Sequence, residues 1–325
     1  MCTSVIYTAG DSYFGRNLDL EVSVGEEVVM TPRHFEFNFK KVAPQKSHYA
    51  IMGVGPVMGG YPLYCDAANE KGLGMAGLNF DGPCHYSEEV ADKDNVTPFE
   101  FIPYILGQCA TVAEAKKLLA KMSLVNISFS AKLPLSPLHW LIADQSGDAV
   151  VVESTESGLH YYDNPVGVLT NNPEFPEQLT NLANYQNIGT GEPTNTLVPG
   201  VKLNTYSRGL ATNGLPGGMD SESRFVRAAF AKAHAPQGAD EITNVTNYFK
   251  ILGAVAQPKN LDQVGPDTFE YTIYTDCFDL TTTTMYYTTY EDSQINAVRF
   301  DQLDADSSKL ATFPMVRQQA INFEN

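Results

Sequence analysis

The first twenty residues constrain the fold most strongly, because their pattern predicts a β-hairpin. Residues 2–8, Cys-Thr-Ser-Val-Ile-Tyr-Thr, are rich in the β-branched and aromatic side chains that favour a strand. Residues 9–12, Ala-Gly-Asp-Ser, are typical of a turn, and residues 13–19 then resemble a returning strand. A chain terminus is often frayed. Here the pattern instead predicts an ordered N-terminal strand.

Cys2 is the candidate nucleophile of this hairpin. Cells commonly remove an initiator Met that precedes a small residue, so we expect Cys2 to become the first residue of the mature chain. A thiol with a reference pKa of about 8.5 and an α-amine with one of about 7.7–8.0 would then share one residue. Together they form a complete pair of nucleophile and base.

The predicted hairpin also brings Arg16 and Asp19 back beside residue 2. A guanidinium near a thiol favours the thiolate. A carboxylate near an α-ammonium can hold and orient it. Read in isolation, an Arg-x-x-Asp sequence is more typical of a surface ion pair. The combination with Cys2 therefore points to catalysis through an N-terminal cysteine.

The formal net charge of −17 argues against a nucleic-acid partner, which needs clustered Lys and Arg. No run of 18 apolar residues predicts a membrane span, and no charged and apolar leader predicts secretion. Together with an odd count of five cysteines, this predicts a reducing cytoplasm. The other four cysteines lack metal-ligand spacing, so we expect neither a metal nor an organic cofactor; they are Cys65, Cys84, Cys109 and Cys277.

The chain shows no linker or repeat, so we predict a single domain over residues 1–325. A glycine-rich stretch at 53–60 lacks the Gly-Lys-Ser/Thr ending of a phosphate loop.

Thr111 and Glu114 form a capping-box signature ahead of a helical apolar stripe. Further helices are predicted at 174–187, 219–234 and 238–256, and two long strands within 269–288. Strands and helices are both abundant but do not alternate strictly, which favours a layered architecture.

A set of short motifs, in order along the whole chain, resembles the choloylglycine hydrolase family of N-terminal nucleophile hydrolases, and in particular its bile salt hydrolases. The motifs are MCT (1–3), FGRNLD (14–19), YPLY (61–64), NEKGLGMAGLN (69–79), PLSPLHW (134–140), NPVGVLTNNP (164–173), YSRG (206–209), SRFV (223–226) and SQINAV (293–298). The resemblance implies an α+β fold, a four-layer αββα sandwich of two antiparallel sheets flanked by helices. It implies hydrolysis of the amide bond of glycine- and taurine-conjugated bile acids.

The resemblance also assigns roles to individual residues. Asn79 and Asn171 match family positions that serve the oxyanion hole and support the nucleophile, and Arg224 matches a position that supports the thiolate. Read alone, the asparagines are typical turn residues and Arg224 a helix-surface residue. Leu18 and Cys65 match positions that line the steroid pocket, although Cys65 replaces a bulkier aromatic side chain.

Residues 188–218 form a long segment rich in Gly, Pro, Asn and Thr. In the family, an extension here reaches a neighbouring subunit, which implies a homotetramer.

Three alternatives remain open from the sequence. A penicillin V acylase or an acyl-homoserine lactone acylase would use the same nucleophile with another acyl pocket; Asn79 favours the bile-salt side because penicillin acylases often carry Tyr there. A non-catalytic bile-acid-binding protein would need the pocket but not Cys2. His139 could suggest a Cys–His pair with Cys109, but a buried histidine with satisfied hydrogen bonds explains it better.

Overall fold

The structure is a computed structural model that describes residues 1–325, and its strands are numbered here in chain order. They are β1 (Cys2–Ala9), β2 (Asp11–Leu20), β3 (Glu27–Thr31), β4 (Ile51–Gly55), β5 (Val57–Met58), β6 (Tyr61–Pro62), β7 (Asp66–Asn69), β8 (Leu73–Asn79), β9 (Asp94–Val96), β10 (Met122–Leu124), β11 (Leu138–Asp144), β12 (Ala149–Thr155), β13 (Gly158–Asp163), β14 (Val168–Leu169), β15 (Asp262–Gly265), β16 (Thr268–Asp279), β17 (Thr284–Thr289), β18 (Asp292–Arg299) and β19 (Ala311–Pro314).

Local sequence signals account for where the helices begin. The helices are α1 (Phe101–Leu106), α2 (Val112–Leu119), α3 (Phe175–Leu182), α4 (Ser221–Ala233) and α5 (Glu241–Gly253). Thr111 caps α2 by accepting a hydrogen bond from the Glu114 N–H at 3.2 Å, as the capping box predicts. Asp240 caps α5, which is why that helix begins later than the predicted residue 238. The prediction for 174–187 was also too long, since α3 ends at Leu182 and continues only as a short 3₁₀ turn.

The predicted N-terminal hairpin is confirmed. β1 and β2 pair antiparallel, with Cys2 opposite Leu18 and Ser4 opposite Arg16. The turn is a tight one at Gly10, whose φ of 74° lies in the left-handed region that glycine adopts without steric cost. Because side chains alternate along a strand, Cys2 and Arg16 lie on one face of the hairpin and Asp19 on the other.

Two large antiparallel sheets form the centre of the molecule. The first runs β14-β1-β2-β16-β17-β18, with β15 added to β16. The second runs β13-β12-β11-β8-β7-β4-β3-β19. The hairpin that carries Cys2 therefore lies inside the first sheet, between β14 and β16, and is held on both sides by backbone hydrogen bonds.

The sheets and helices stack in four layers. α1 and α2 cover the outer face of the second sheet, where Phe101 meets Trp140 edge to face. α4 and α5 cover the outer face of the first sheet through buried residues such as Phe225 and Tyr248. Side chains such as Phe14 fill the space between the sheets. The predicted αββα sandwich is confirmed. None of the helices has both the length and the apolar composition that crossing a membrane requires.

Candidate active site

Cys2 lies at the end of a central strand and is only 3% exposed. Its side chain shares the hairpin face that looks toward the second sheet with Arg16 and Leu18. Its main chain is reached from the opposite side, by residues of the helical layer. The site is therefore divided into a thiol side and a main-chain side, a division that the predicted hairpin alone did not reveal.

Arg16 supplies the positive charge on the thiol side. Its guanidinium is 1% exposed and donates hydrogen bonds from Nη1 to the carbonyl oxygens of Gly77 and, at 3.3 Å, of Cys65. Burial by itself would lower the pKa of Arg16, but nearby groups that carry negative charge, Cys2 foremost, raise it overall. Arg16 therefore stays cationic and places a positive charge on the side of the hairpin that carries the Cys2 thiol.

Asn171 and Arg224 hold the main chain of Cys2. The Cys2 N–H donates to Oδ1 of Asn171 at 2.9 Å. Arg224 donates to the same Oδ1 from Nη2 at 2.7 Å, and from Nη1 to the Cys2 carbonyl oxygen and to Oγ1 of Thr3. Burial lowers the pKa of Arg224, which is fully enclosed. Arg224 thus contacts the backbone of Cys2 and not its sulfur.

Two local structures bring these partners to Cys2. β14 pairs with β1 and ends at Leu169, so that Asn171 leaves the sheet beside the N-terminus. Arg224 lies in the first turn of α4. Ser221, at the start of that helix, accepts a hydrogen bond through Oγ from the backbone N–H of Asn171 at 2.8 Å. The Asn171 loop is therefore tied to the same helix that supplies Arg224.

Asp19 lies on the main-chain side and has one oxygen without a partner. Its Oδ1 accepts a hydrogen bond from the Thr272 hydroxyl at 2.6 Å, whereas its Oδ2 is buried and makes no hydrogen bond. Burial raises the pKa of Asp19, and the Arg224 charge opposes that shift. The Met1 ammonium donates to the Asp19 carbonyl oxygen at 2.8 Å and pairs with Glu270. The Asp19 carboxyl group therefore lies close enough to the N-terminal ammonium for the two to attract each other.

The two predicted asparagines have different surroundings. The side-chain amide of Asn171 has partners at both of its polar atoms, because Nδ2 donates to the Asn79 carbonyl oxygen at 2.7 Å while Oδ1 accepts from Cys2 and Arg224. The Asn79 side chain, at the end of β8, makes no hydrogen bond to another protein group. Asn171 is thus held in contacts with Cys2 and Arg224, whereas the Asn79 side-chain amide has no partner within the protein.

The two predicted pocket residues both lie near the nucleophile. Leu18 is directly opposite Cys2 in the hairpin. Cys65 is half-buried, and its carbonyl oxygen contacts Arg16. Burial raises the pKa of the Cys65 thiol to about 12, opposed by the charge of Arg16, so this second cysteine stays protonated at neutral pH. Leu18 and Cys65 thus both lie close to Cys2.

The sequence analysis missed the residues that hold this constellation in place. Thr3, Ser221, Thr272 and Glu270 each contact a site residue or the N-terminus, and none belongs to a recognisable catalytic pattern. His139 behaves as expected for a structural residue. It is fully buried, with Nδ1 3.1 Å from Glu153, Nε2 2.9 Å from the Thr170 carbonyl oxygen, and its ring stacked on Phe80.

Known proteins with similar sequences and structures indicate the family and the fold of this chain. Residues 2–313 match the family of linear amide C–N hydrolases called the choloylglycine hydrolase family. A bile salt hydrolase/transferase of Lactiplantibacillus plantarum is 49% identical over 97% of both chains. A crystal structure of a mutant conjugated bile acid hydrolase from Clostridium perfringens covers both chains fully, with 32% identity and a TM-score of 0.93. A penicillin V acylase from Agrobacterium tumefaciens shares the fold, at 19% identity and a TM-score of 0.76.

The four-layer fold and these matches thus define a hydrolase of linear amide bonds. The chain belongs to the choloylglycine hydrolase family.

We expect Asp19→Asn to lower kcat by on the order of 10², the scale of losing one preorganised charge at a reacting centre. The substitution keeps the size of the side chain but removes the charge that faces the N-terminus. Asp11→Asn, the same exchange at the other end of the hairpin, is the matched control and should leave kcat unchanged. If both variants have equal kcat, or if the loss follows a lower Tm, Asp19 has no catalytic role.

Proposed function

We propose that this enzyme hydrolyses the amide bond of glycine- and taurine-conjugated bile acids, with Cys2 as nucleophile. The observation that carries the proposal is the Cys2 N–H held at 2.9 Å by Asn171, with Arg224 on the same oxygen and Arg16 on the thiol side. The similarity to the Lactiplantibacillus plantarum and Clostridium perfringens proteins supports the choice of substrate.

The proposed reaction proceeds in two steps once Met1 has been removed. The α-amine of Cys2 takes the thiol proton, and the sulfur attacks the amide carbonyl carbon. The Asn79 amide stabilises the oxyanion. Collapse of the tetrahedral intermediate breaks the C–N bond, and the α-ammonium returns the proton to the departing amine. Water then attacks the thioester, which releases the bile acid and restores the thiol.

Asn171 and Asp19 orient the α-amine in this scheme. A free amine has more hydrogens than the amide N–H seen in the structure. One can continue to reach Oδ1 of Asn171, and the unpartnered Oδ2 of Asp19 is available to another. With both acceptors fixed, the nitrogen lone pair is directed toward the thiol.

Hydrolysis of glycocholate, taurocholate and penicillin V by the purified enzyme tests the substrate class. We expect release of glycine and taurine to exceed cleavage of penicillin V. Faster cleavage of penicillin V, or of an acyl-homoserine lactone, would assign the pocket to the other activities of the family. A protein that binds bile salts without turnover would be the non-catalytic alternative.

We also propose that the enzyme acts in the cytoplasm as a single domain, without a metal or organic cofactor. The five cysteines, none of them in a disulfide, support a reducing compartment. The proposed chemistry supports the absence of a cofactor, because Cys2 would supply both the nucleophile and the base.

We propose a homotetramer held together by residues 188–218. This segment has little regular structure and exposes large apolar side chains, among them Leu203 at 58% and Tyr206 at 89%. Exposed apolar groups of this size are typical of an interface.

The paired substitution Leu203→Ser/Tyr206→Ser should shift the assembly toward smaller species in light scattering. Ile242→Ser/Ile321→Ser, on exposed apolar residues outside the segment, is the matched control. A wild-type protein that is monomeric at all concentrations contradicts the proposed tetramer.

A further inference from the structure

Two buried carboxyl groups lie behind Arg16, and the reaction scheme above does not use them. Asp66 begins β7 in the second sheet, and Asp276 belongs to β16 in the first. Both are fully buried between the sheets. Gly15 allows Asp276 to approach this closely, because a Cβ at residue 15 would lie 2.8 Å from Oδ1 of Asp276.

The donors that reach this pair are neutral. The Arg16 backbone N–H donates to Oδ1 of Asp276 at 2.7 Å, and the Tyr274 hydroxyl donates to Oδ1 of Asp66. Oδ2 of each aspartate is buried and has no hydrogen-bond partner. Burial and the neighbouring Asp66 charge raise the pKa of Asp276. Two ionised carboxylates buried close together would repel each other, which favours a proton on one of them.

We propose that Asp66 and Asp276 share a single proton and together act as the one-charge counterion that positions Arg16 beside Cys2. The pair then carries a charge of −1 and balances the buried guanidinium. With both carboxyls ionised, the cluster would carry a net negative charge beside the thiol and oppose thiolate formation. With no charge on the pair, Arg16 would be a buried cation without a counterion, which is strongly destabilising.

The surroundings favour the proton on Asp276. Burial, followed by the neighbouring Asp66 charge, raises the pKa of Asp276, and the Arg16 backbone and charge oppose this only in part. The other titratable or charged groups on the inner side of the first sheet are Arg16 on β2, Cys65 just before β7 and Tyr274 on β16. Cys277 on β16 and Tyr248 on α5 lie on the helical side of that sheet, and the charge of Asp276 contributes to raising the pKa of each.

A double-mutant cycle tests the shared proton. Asp276→Asn mimics the protonated acid, and in Asp66→Asn the remaining Asp276 can ionise, so each single variant keeps one negative charge. We expect each to lower kcat/KM only about threefold, whereas Asp66→Asn/Asp276→Asn should lower it more than about 100-fold. The proposal is overturned if the double variant retains the activity of the single ones, or if either single variant loses as much as the double.

Stability against pH gives a second test that does not depend on activity or on the double variant. In the wild type, Asp276 is protonated when folded and ionised when unfolded at pH values above about 4. The wild type therefore loses stability as pH rises from there toward the raised folded pKa, whereas Asp276→Asn has no such proton to lose. The Tm of Asp276→Asn relative to wild type should rise between about pH 5 and 8. A Tm difference that is independent of pH would contradict the shared proton.

Discussion

Replacing Cys2 by alanine should abolish amide hydrolysis, with kcat reduced by on the order of 10⁴ or more, since the variant has no group to form the acyl intermediate. Substrate binding should persist, because the methyl group leaves the backbone contacts to Asn171 and Arg224 in place. Cys2→Ser should also be severely impaired, since a hydroxyl is a far weaker nucleophile at neutral pH. Release of glycine from glycocholate measures turnover, and calorimetry measures binding.

Cys109→Ala is the matched control for this substitution. Cys109 is also buried, but it packs against α1 and α2 outside the second sheet, away from Cys2. The Cys109→Ala variant should keep wild-type activity. In the wild-type protein, iodoacetamide should label Cys2 ahead of the other cysteines. Normal turnover by Cys2→Ala would assign the chemistry to another residue.

A chain that keeps a residue ahead of Cys2 should be inactive to a similar degree. The nitrogen of Cys2 is then an amide, which cannot accept the thiol proton. In the structure, Met1 is held in place, since its ammonium contacts the Asp19 carbonyl oxygen and Glu270. A retained residue would therefore be an ordered obstruction at the site and not a mobile tail.

Inserting Lys between Met1 and Cys2 provides this test, because a large second residue prevents removal of the initiator. Intact mass should show both extra residues, and glycocholate turnover should be lost. The matched control carries a protease site that ends immediately before Cys2, so that cleavage frees the amine and restores activity. Full activity of the uncleaved form would rule out the α-amine as the base.

Assembly could modify these activities only indirectly, because the proposed catalytic groups all come from one chain. Cys2, Arg16 and Asp19 lie on the hairpin, Asn171 follows β14, and Arg224 lies in the first turn of α4. Residues 188–218 separate the last two in sequence and extend along the surface. Activity and assembly can therefore be measured separately in the variants proposed above.

The amino-acid sequence by itself determined the features that depend on neighbouring residues. Alternating β-branched and aromatic side chains specified the hairpin that places Arg16 and Asp19 near Cys2, and Thr111 specified the start of α2. The ordered set of motifs was sufficient to indicate the family and the αββα sandwich, since those motifs span the whole chain.

Only the tertiary structure decided what each face of the hairpin contacts. Strand alternation already places Arg16 and Asp19 on opposite faces, but the packing of the second sheet on one face and of α4 on the other determines which groups surround them. The contacts of Arg224 with Cys2 and of Tyr274 with Asp66 join residues more than 200 positions apart. No local pattern specifies such pairs, because they form only when the two sheets and α4 pack together and exclude water from the charges between them.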